Sequence, residues 1–395
     1  MVTFLPFSGY RPSLRDGEDI GDRVSPPYDV IDDDYLKRLR AKEHNVTNLT
    51  LDPENGRYTG SRKKLEKWIA DGSLVRDDDS FYLYEQRFIT DGKAMKRTGI
   101  VGILRTEPYE NGNVIPHEET FAGVKQDRLN LLRDMESHLE SIFGIFEGFS
   151  KDLNALIERT SEKLYSYTDD GGVEHIYSRI SDKKAADAIT DALKGQKMLI
   201  ADGHHRYETA LNYSLENPND AKKGYVLATL VSSDDPGLVI WPTHRLLSFA
   251  DISENDALEK IRNAMRVEET ASVDTLRKGL PGWQMGLIFR SGRCCFASYR
   301  DDSDPLWSLD TYAAQELIIK RTYGYDNGGV KVSYDAEFDP VIKKMGTGKY
   351  DLAIVLNTPL LKTIWGLCAL GKRMPKKTTF FYPKIWSGFV FYKMA

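Results

Sequence analysis

Residues 198–211 read MLIADGHHRYETAL: an apolar run stops at Asp202-Gly203, two histidines and an arginine follow, and a helical pattern begins. Met198, Leu199, Ile200 and Ala201 have the unbroken apolar character of a strand inside a sheet. Gly203 permits a tight turn and lets a ligand come close to the backbone. Tyr207, Ala210, Leu211, Ser214 and Leu215 then recur at the spacing of a buried helix stripe. His204, His205 and Arg206 are therefore expected at a helix N-terminus, where unused backbone N–H groups and the positive end of the helix dipole attract anions. A guanidinium fork beside two imidazoles suits phosphate. Asp202, Gly203 and Arg206 are assigned to phosphate or nucleotide binding, and His204 and His205 to catalysis. The competing reading is that the histidines only cap and pack.

Phosphoryl transfer to or from a hydroxyl needs a carboxylate base and cations that neutralise charge. The stretch IPHEETF offers Glu118 as the base, with Glu119 second to it or, beside His117, a substrate contact. His117-Glu118 is no zinc-protease pair, because Phe121 stands where the second histidine belongs. Lys125 and Arg128 are placed to clamp phosphates, and Asp127 to hold Mg²⁺ or orient Arg128. An ion-paired, solvated helix face is the alternative for all three. In SPPYDVID, Pro26 and Pro27 forbid helix, and Asp29 is offered from a rigid loop to a ribose or a substrate amine. His244 and Arg245 in PTHRLL would make a second anion contact at a strand end, with a purely structural histidine as the competing reading. In KRMPKKTTFFYPK the expected phosphate contacts are Lys376 and Lys377. GTGK at 346–349 is not a P-loop, since the upstream glycine is missing and a strand, not a helix, follows.

These residues need elements to hold them. With 395 residues, 41% hydrophobic and 29% charged, the chain has material for two or three globular domains. Lys+Arg at 54 against Asp+Glu at 59 gives a net charge of −5, which disfavours a nucleic-acid partner. The N-terminus has no signal-peptide pattern and no apolar run reaches membrane length, so a cytoplasmic protein without membrane attachment is expected. Cys294, Cys295 and Cys368 have neither disulfide-framework nor metal-ligand spacing. The pattern places a helix over 61–78 closed by Gly72, a hairpin turning at Asp91-Gly92, and a long helix from Glu118 to about Glu140. A strand in SIFGIFEGF, a helix over 151–164, a strand over 197–201 and a helix over 206–216 come next. Beyond Phe249 come a helix capped by Ser253, a hairpin at Ser291-Gly292, a helix ending at Gly324 and a buried strand in YDLAIVLN. The fold class is α+β, or mixed α/β. N-terminal elements to residue 95 contribute to a core over 96–250, and an α+β domain spans 251–395.

GHHRYETAL resembles the phosphate-binding turn of the ParB/sulfiredoxin superfamily, which implies a ParB/sulfiredoxin-like core domain. Sulfiredoxins place their reactive cysteine after the glycine; His204 stands there in this chain, which excludes sulfinic-acid reduction by that route. CTP-binding partition proteins and free-serine kinases belong to the same superfamily. More narrowly, SPPYDVID, HEETFAGVKQDRLNLL, ADGHHRYETAL, PTHRLL and MPKKTTFFYPK resemble, in that order, the blocks of the family called domain of unknown function 1015. One departure is ESIFGIF, where Ser-Pro is expected before Ile-Phe. The resemblance implies a phosphotransferase using ATP or ADP with Mg²⁺ on a small hydroxyl or phospho-amino acid, with serine and phosphoserine favoured. A non-catalytic nucleotide-gated regulator is the alternative. Nucleotide and small substrate are the expected partners, and a homodimer is left open.

Overall fold

Two long strands, Phe81–Thr90 and Lys93–Arg105, flank the turn at Asp91-Gly92. Both turn residues have positive φ, 49° and 72°, the geometry an Asp-Gly hairpin favours. The structure, a computed structural model, describes residues 2–118, 122–249 and 251–394. It is mixed α/β, and the chain divides into two units.

Unit 1 comprises Met1–Pro116, Thr120–Val239 and Pro383–Ala395. Its nine-stranded sheet contains β1 (Phe4–Leu5), β2 (Phe81–Thr90), β3 (Lys93–Arg105), β4 (Val114–Pro116), β5 (Ile142–Phe146), β6 (Glu162–Thr168), β7 (Glu174–Ile180), β8 (Met198–Asp202) and β9 (Tyr225–Ser232). The order is β4-β8-β5-β9-β3-β2-β7-β6, with β1 added to β3. β8 runs parallel to β4 and antiparallel to β5. Flanked by a strand on each side, it is apolar and buried from Met198 to Ala201, as its unbroken pattern demands.

Three helices matter to the site: α1 (Ala122–Met135), α2 (Lys183–Leu193) and α3 (His204–Glu216). The helix expected from Glu118 to Glu140 is thus shorter at both ends. Glu118 lies before it in an isolated bridge to Met374. At the other end Glu136 takes a left-handed φ of 45° and Ser137–His138 pairs as a strand with Tyr392–Lys393. In α3 the buried stripe is Tyr207, Ala210 and Tyr213, while Leu215 is exposed. The helix expected to reach residue 164 stops at Thr160, and β6 begins two residues later.

The expected three-part division gives way to these two units. Residues 1–95 contribute β1 and β2 to the same sheet as β8. Residues 383–394 leave the expected C-terminal domain because their apolar side chains bury Trp386, Phe389, Val390, Tyr392 and Met394 in the core of unit 1.

Unit 2, His117–Glu119 with Ile240–Tyr382, has a six-stranded antiparallel sheet. Its strands are β10 (His244–Ser248), β11 (Arg266–Thr270), β12 (Met285–Phe289), β13 (Cys294–Ser298), β14 (Lys331–Asp335) and β15 (Leu352–Leu356). They run in the order β11-β13-β12-β15-β10-β14. Ser253 caps the next helix as expected, its Oγ accepting from the Asp256 N–H at 3.2 Å. The helical run after Leu309 continues as a π-helix, Ala314–Thr322, before Gly324 closes it at φ 66°. All three cysteines are buried thiols, and burial raises each above its ordinary pKa. Among the described residues, no helix is long and apolar enough to cross a membrane.

Candidate active site

The corner after β8 is built as its sequence demands. Gly203 is the N-cap of α3 at φ 90°, ψ 27°, and no side chain caps the first turn. A Cβ on Gly203 would come within 3.0–3.1 Å of the Arg206 guanidinium, which is folded back over the glycine. The arginine is fixed there by donating Nη1–H to the Ser141 carbonyl and by Asp202, 3.5 Å from Nη2. The other Asp202 oxygen accepts from Lys384 Nζ at 2.6 Å. His204 is buried and His205 half-buried. Behind Asp202 stands Arg97, fully buried, which donates to Gln86 Oε1 and to the Pro383 carbonyl and lies over the Phe143 ring at 5.0 Å. Burial draws the Arg97 guanidinium down to about 10, so it is still a cation at neutral pH. One carboxylate thus meets Arg206 and Lys384 directly and feels the charge of Arg97, next to an uncapped helix N-terminus.

A second group in the same unit gathers around Arg128. Its Nε and Nη2 donate to Asp127 Oδ2 at 3.0 and 2.6 Å, Nη2 also to the Tyr58 hydroxyl and the Thr50 carbonyl at 3.2 Å each, and Nη1 to Glu140 Oε2 at 3.4 Å. Burial works against the Arg128 charge, but Glu140, Tyr58 and Asp127 outweigh it and raise the pKa. Tyr58, pushed up to about 12 chiefly by burial, also donates to Asp127 at 3.1 Å. Asp127 therefore orients Arg128, the second of the two roles expected for it. The Tyr28 ring lies under the Arg128 guanidinium at 4.9 Å. Burial raises the Tyr28 phenol, while the charges of Arg206, Asp29, Glu140 and Arg128 all reach it. Asp29 itself is exposed. Lys125 belongs to α1, and its side chain, like all of Glu119, lies outside the described residues.

The other candidates belong to unit 2, each in a packed setting. His117 is fully buried, its Nε2 2.9 Å from Thr379 Oγ1 and its carbonyl accepting from Met374 N–H. His117, expected as a substrate contact, is packed here against Thr379 and the Phe381 ring. Glu118 Oε2 accepts the Lys377 N–H at 3.1 Å. Lys377 sits at φ 57°, and its carbonyl accepts from Arg245 Nη2 at 3.0 Å. Arg245 is itself fully buried and also donates to the Thr243 carbonyl. In this structure Glu118 and Arg245 hold the PKKTT turn in shape, Arg245 stapling the Thr243 and Lys377 carbonyls. Lys376 and Lys377 are half-buried on that turn.

His244 is buried in the same way. Its Nδ1 accepts the Leu356 N–H at 3.1 Å, and burial lowers its pKa to about 4, with Arg245 adding to the effect. A neutral acceptor gives no cationic contact to phosphate. Because the folded pKa lies below the unfolded value of about 6.5, its contribution is present above pH 6.5 and is lost as pH falls toward 4. In His244→Gln, the slope of unfolding free energy against pH over that window falls by up to about 1.4 kcal/mol per pH unit. Denaturant unfolding at a series of pH values measures it, and an unchanged slope contradicts the assignment.

Sequence reasoning missed Lys384, Glu140, Arg97, Tyr28 and Tyr58. Lys384 ends the MPKKTTFFYPK block and Glu140 begins ESIFGIF, but neither block says which side chains meet, and only the fold brings these residues together.

The fold and this corner define a two-unit mixed α/β protein with a left-handed glycine turn between a buried strand and an uncapped helix N-terminus. Residues 4–312 match the family described as protein of unknown function (DUF1015), and the chain belongs to that family. None of the curated proteins matches it. Among solved structures it is similar to a conserved hypothetical protein from Pyrococcus furiosus, with 13% identity and TM-score 0.39 over 69% of this chain and 89% of the other. A free serine kinase in complex with AMP gives 12% identity and TM-score 0.39 over 68% and 83%. SbnI with a C-terminal truncation, from Staphylococcus aureus, gives 8% and 0.39 over 73% and 85%.

Proposed function

We propose that the protein is a nucleotide-dependent phosphotransferase whose phosphate-binding element is the turn at Gly203, acting on a small hydroxyl or phospho-amino acid. Serine and phosphoserine are the favoured pair, on the strength of the family resemblance. The observation that carries the reading is the Gly203 corner itself: a left-handed glycine, an uncapped helix N-terminus, and Arg206 and Lys384 held ready on Asp202. The resemblance of GHHRYETAL to ParB/sulfiredoxin phosphate-binding turns supports it.

Phosphoryl transfer is a matter of position and charge neutralisation more than of covalent chemistry. The α3 N-terminus supplies directed N–H groups, and Arg206 and Lys384 exchange the Asp202 carboxylate for phosphate oxygens. In one direction a serine hydroxyl attacks the terminal phosphorus of ATP, giving phosphoserine and ADP; in the other, ADP takes the phosphoryl group and releases serine. Among the described residues no group of three or more His, Cys, Asp or Glu is arranged to hold a metal ion. Mg²⁺ would be carried mainly by nucleotide phosphates and water, as this ion usually is. Glu118 is proposed as the base, with Glu119 as its alternate; this assignment stands apart from the corner and is tested separately.

The test is phosphorus NMR of the protein with Mg²⁺ and phosphoserine plus ADP, serine plus ATP, or serine plus ADP. Phosphate moving between amino acid and nucleotide, and lost in Arg206→Ala, supports the transferase and gives its direction. Loss in Glu118→Gln supports the base. Nucleotide that binds through Arg206 without any transfer replaces this reading with a nucleotide-gated regulator.

A further inference from the structure

Beside the Gly203 corner, within unit 1, lies a small crevice of about 40 Å³ lined by Arg128, Ser137, His138, Glu140, Arg206 and Thr209, with leucines completing the wall. Two of these residues carry polar atoms that are buried and have no hydrogen-bond partner: His138 Nε2 and Thr209 Oγ1. His138 is 7% exposed and Thr209 2%. Buried polar atoms are nearly always satisfied, so two on one small cavity call for an occupant.

The chemistry of that occupant can be read from the wall. His138 engages the Tyr225 backbone through one ring nitrogen, which leaves Nε2 with a lone pair and no proton. Thr209 Oγ1 can donate or accept. Glu140 adds a carboxylate that accepts from Arg128 Nη1 at Oε2, 3.4 Å away. Arg128 directs its side chain to Asp127, Tyr58, Thr50 and Glu140, and Arg206 to Ser141 and Asp202, while His138 Nε2 can only accept, so the occupant must donate at least one hydrogen bond. The cavity has room for a head group the size of a few waters, not for a nucleotide base or sugar.

We propose that this crevice is the subsite for the hydrogen-donating head, ammonium or hydroxyl, of a small substrate, held by His138 Nε2 and Thr209 Oγ1 with Glu140 facing it. Arg206 forms a wall of both the crevice and the phosphate corner, so a molecule seated here has its remaining end beside the transferable phosphate. That last step rests on the phosphotransferase reading; the binding of the head group does not.

The probes are ethanolamine, glycolate and L-serine, titrated calorimetrically into the full chain with and without Mg-ADP. Ethanolamine and serine binding with glycolate excluded assigns an ammonium; binding of all three assigns the hydroxyl. Thr209→Val, which deletes the hydroxyl at nearly constant shape, is expected to weaken binding of the retained probe at least tenfold, and Thr209→Ser to restore it to within about threefold. His138→Phe is expected to match Thr209→Val, with ADP affinity unchanged in both. If ADP binds but none of the probes does, or if Thr209→Val binds them as tightly as the native chain, the crevice holds only water and the proposal falls. If the probes bind and ADP does not, the subsite stands and the phosphotransferase reading falls.

Discussion

Arg206→Ala lowers the affinity for ADP roughly a hundredfold, the loss expected when a charge-assisted, two-pronged contact to phosphate disappears. The side chain is already oriented for this task, folded over Gly203 and steadied by the Ser141 carbonyl and Asp202. Pre-orientation keeps the ordering entropy of a long side chain out of the binding step. Removing it costs little fold stability, about 1 kcal/mol for one backbone-directed hydrogen bond. Arg206→Lys should fall between the two, retaining charge but not the planar fork. Calorimetric titration of ADP into the three proteins checks the order, and equal affinity in all three removes Arg206 from the site.

Arg97→Leu is the larger test of stability. The guanidinium is fully buried, bonds Gln86 Oε1 and the Pro383 carbonyl, and its charge reaches both Asp202 and Asp235. Leucine fills some of the space but leaves the Gln86 and Pro383 acceptors without their donor and takes a buried positive charge away from Asp202 and Asp235. Breaking one side of such a buried arrangement costs about 3 kcal/mol. For a unit of this size that corresponds to a melting temperature lower by roughly 6–12 °C. Denaturant unfolding of the variant measures it, and a loss below about 1 kcal/mol means that the charge is better solvated than its burial implies.

The corner was legible because each of its parts is local. An apolar strand, a glycine and a helical stripe lie within fourteen consecutive residues, and Gly203 does take the left-handed conformation that its position demanded. The stripe was misplaced at one end, because Leu215 faces solvent and Tyr213 packs inward. What sequence could not give was the company the corner keeps. Lys384 meets Asp202 from 182 residues away, and Arg128 meets Glu140 across the break in helix that Glu136 introduces. The polarity of His117, His244 and Arg245 suggested ligand contacts, yet all three are buried with backbone or hydroxyl partners. A polar residue next to an apolar run looks the same in both situations until the strand pairing is known.

The return of residues 383–394 to unit 1 also bears on how the molecule is made. Gln86 bonds the Lys384 carbonyl, Arg97 bonds that of Pro383, and Lys384 supplies the cation on Asp202. All three partners leave the ribosome well before residue 383, and the intervening 240–382 must be translated first. At about 5–20 residues per second that wait is on the order of 7–30 s. Until it ends, the nascent first unit lacks the Pro383 carbonyl on Arg97 and the apolar side chains of Trp386 and Phe389. Its closure is a late event of biosynthesis, and the Gly203 corner gains Lys384 in that same step.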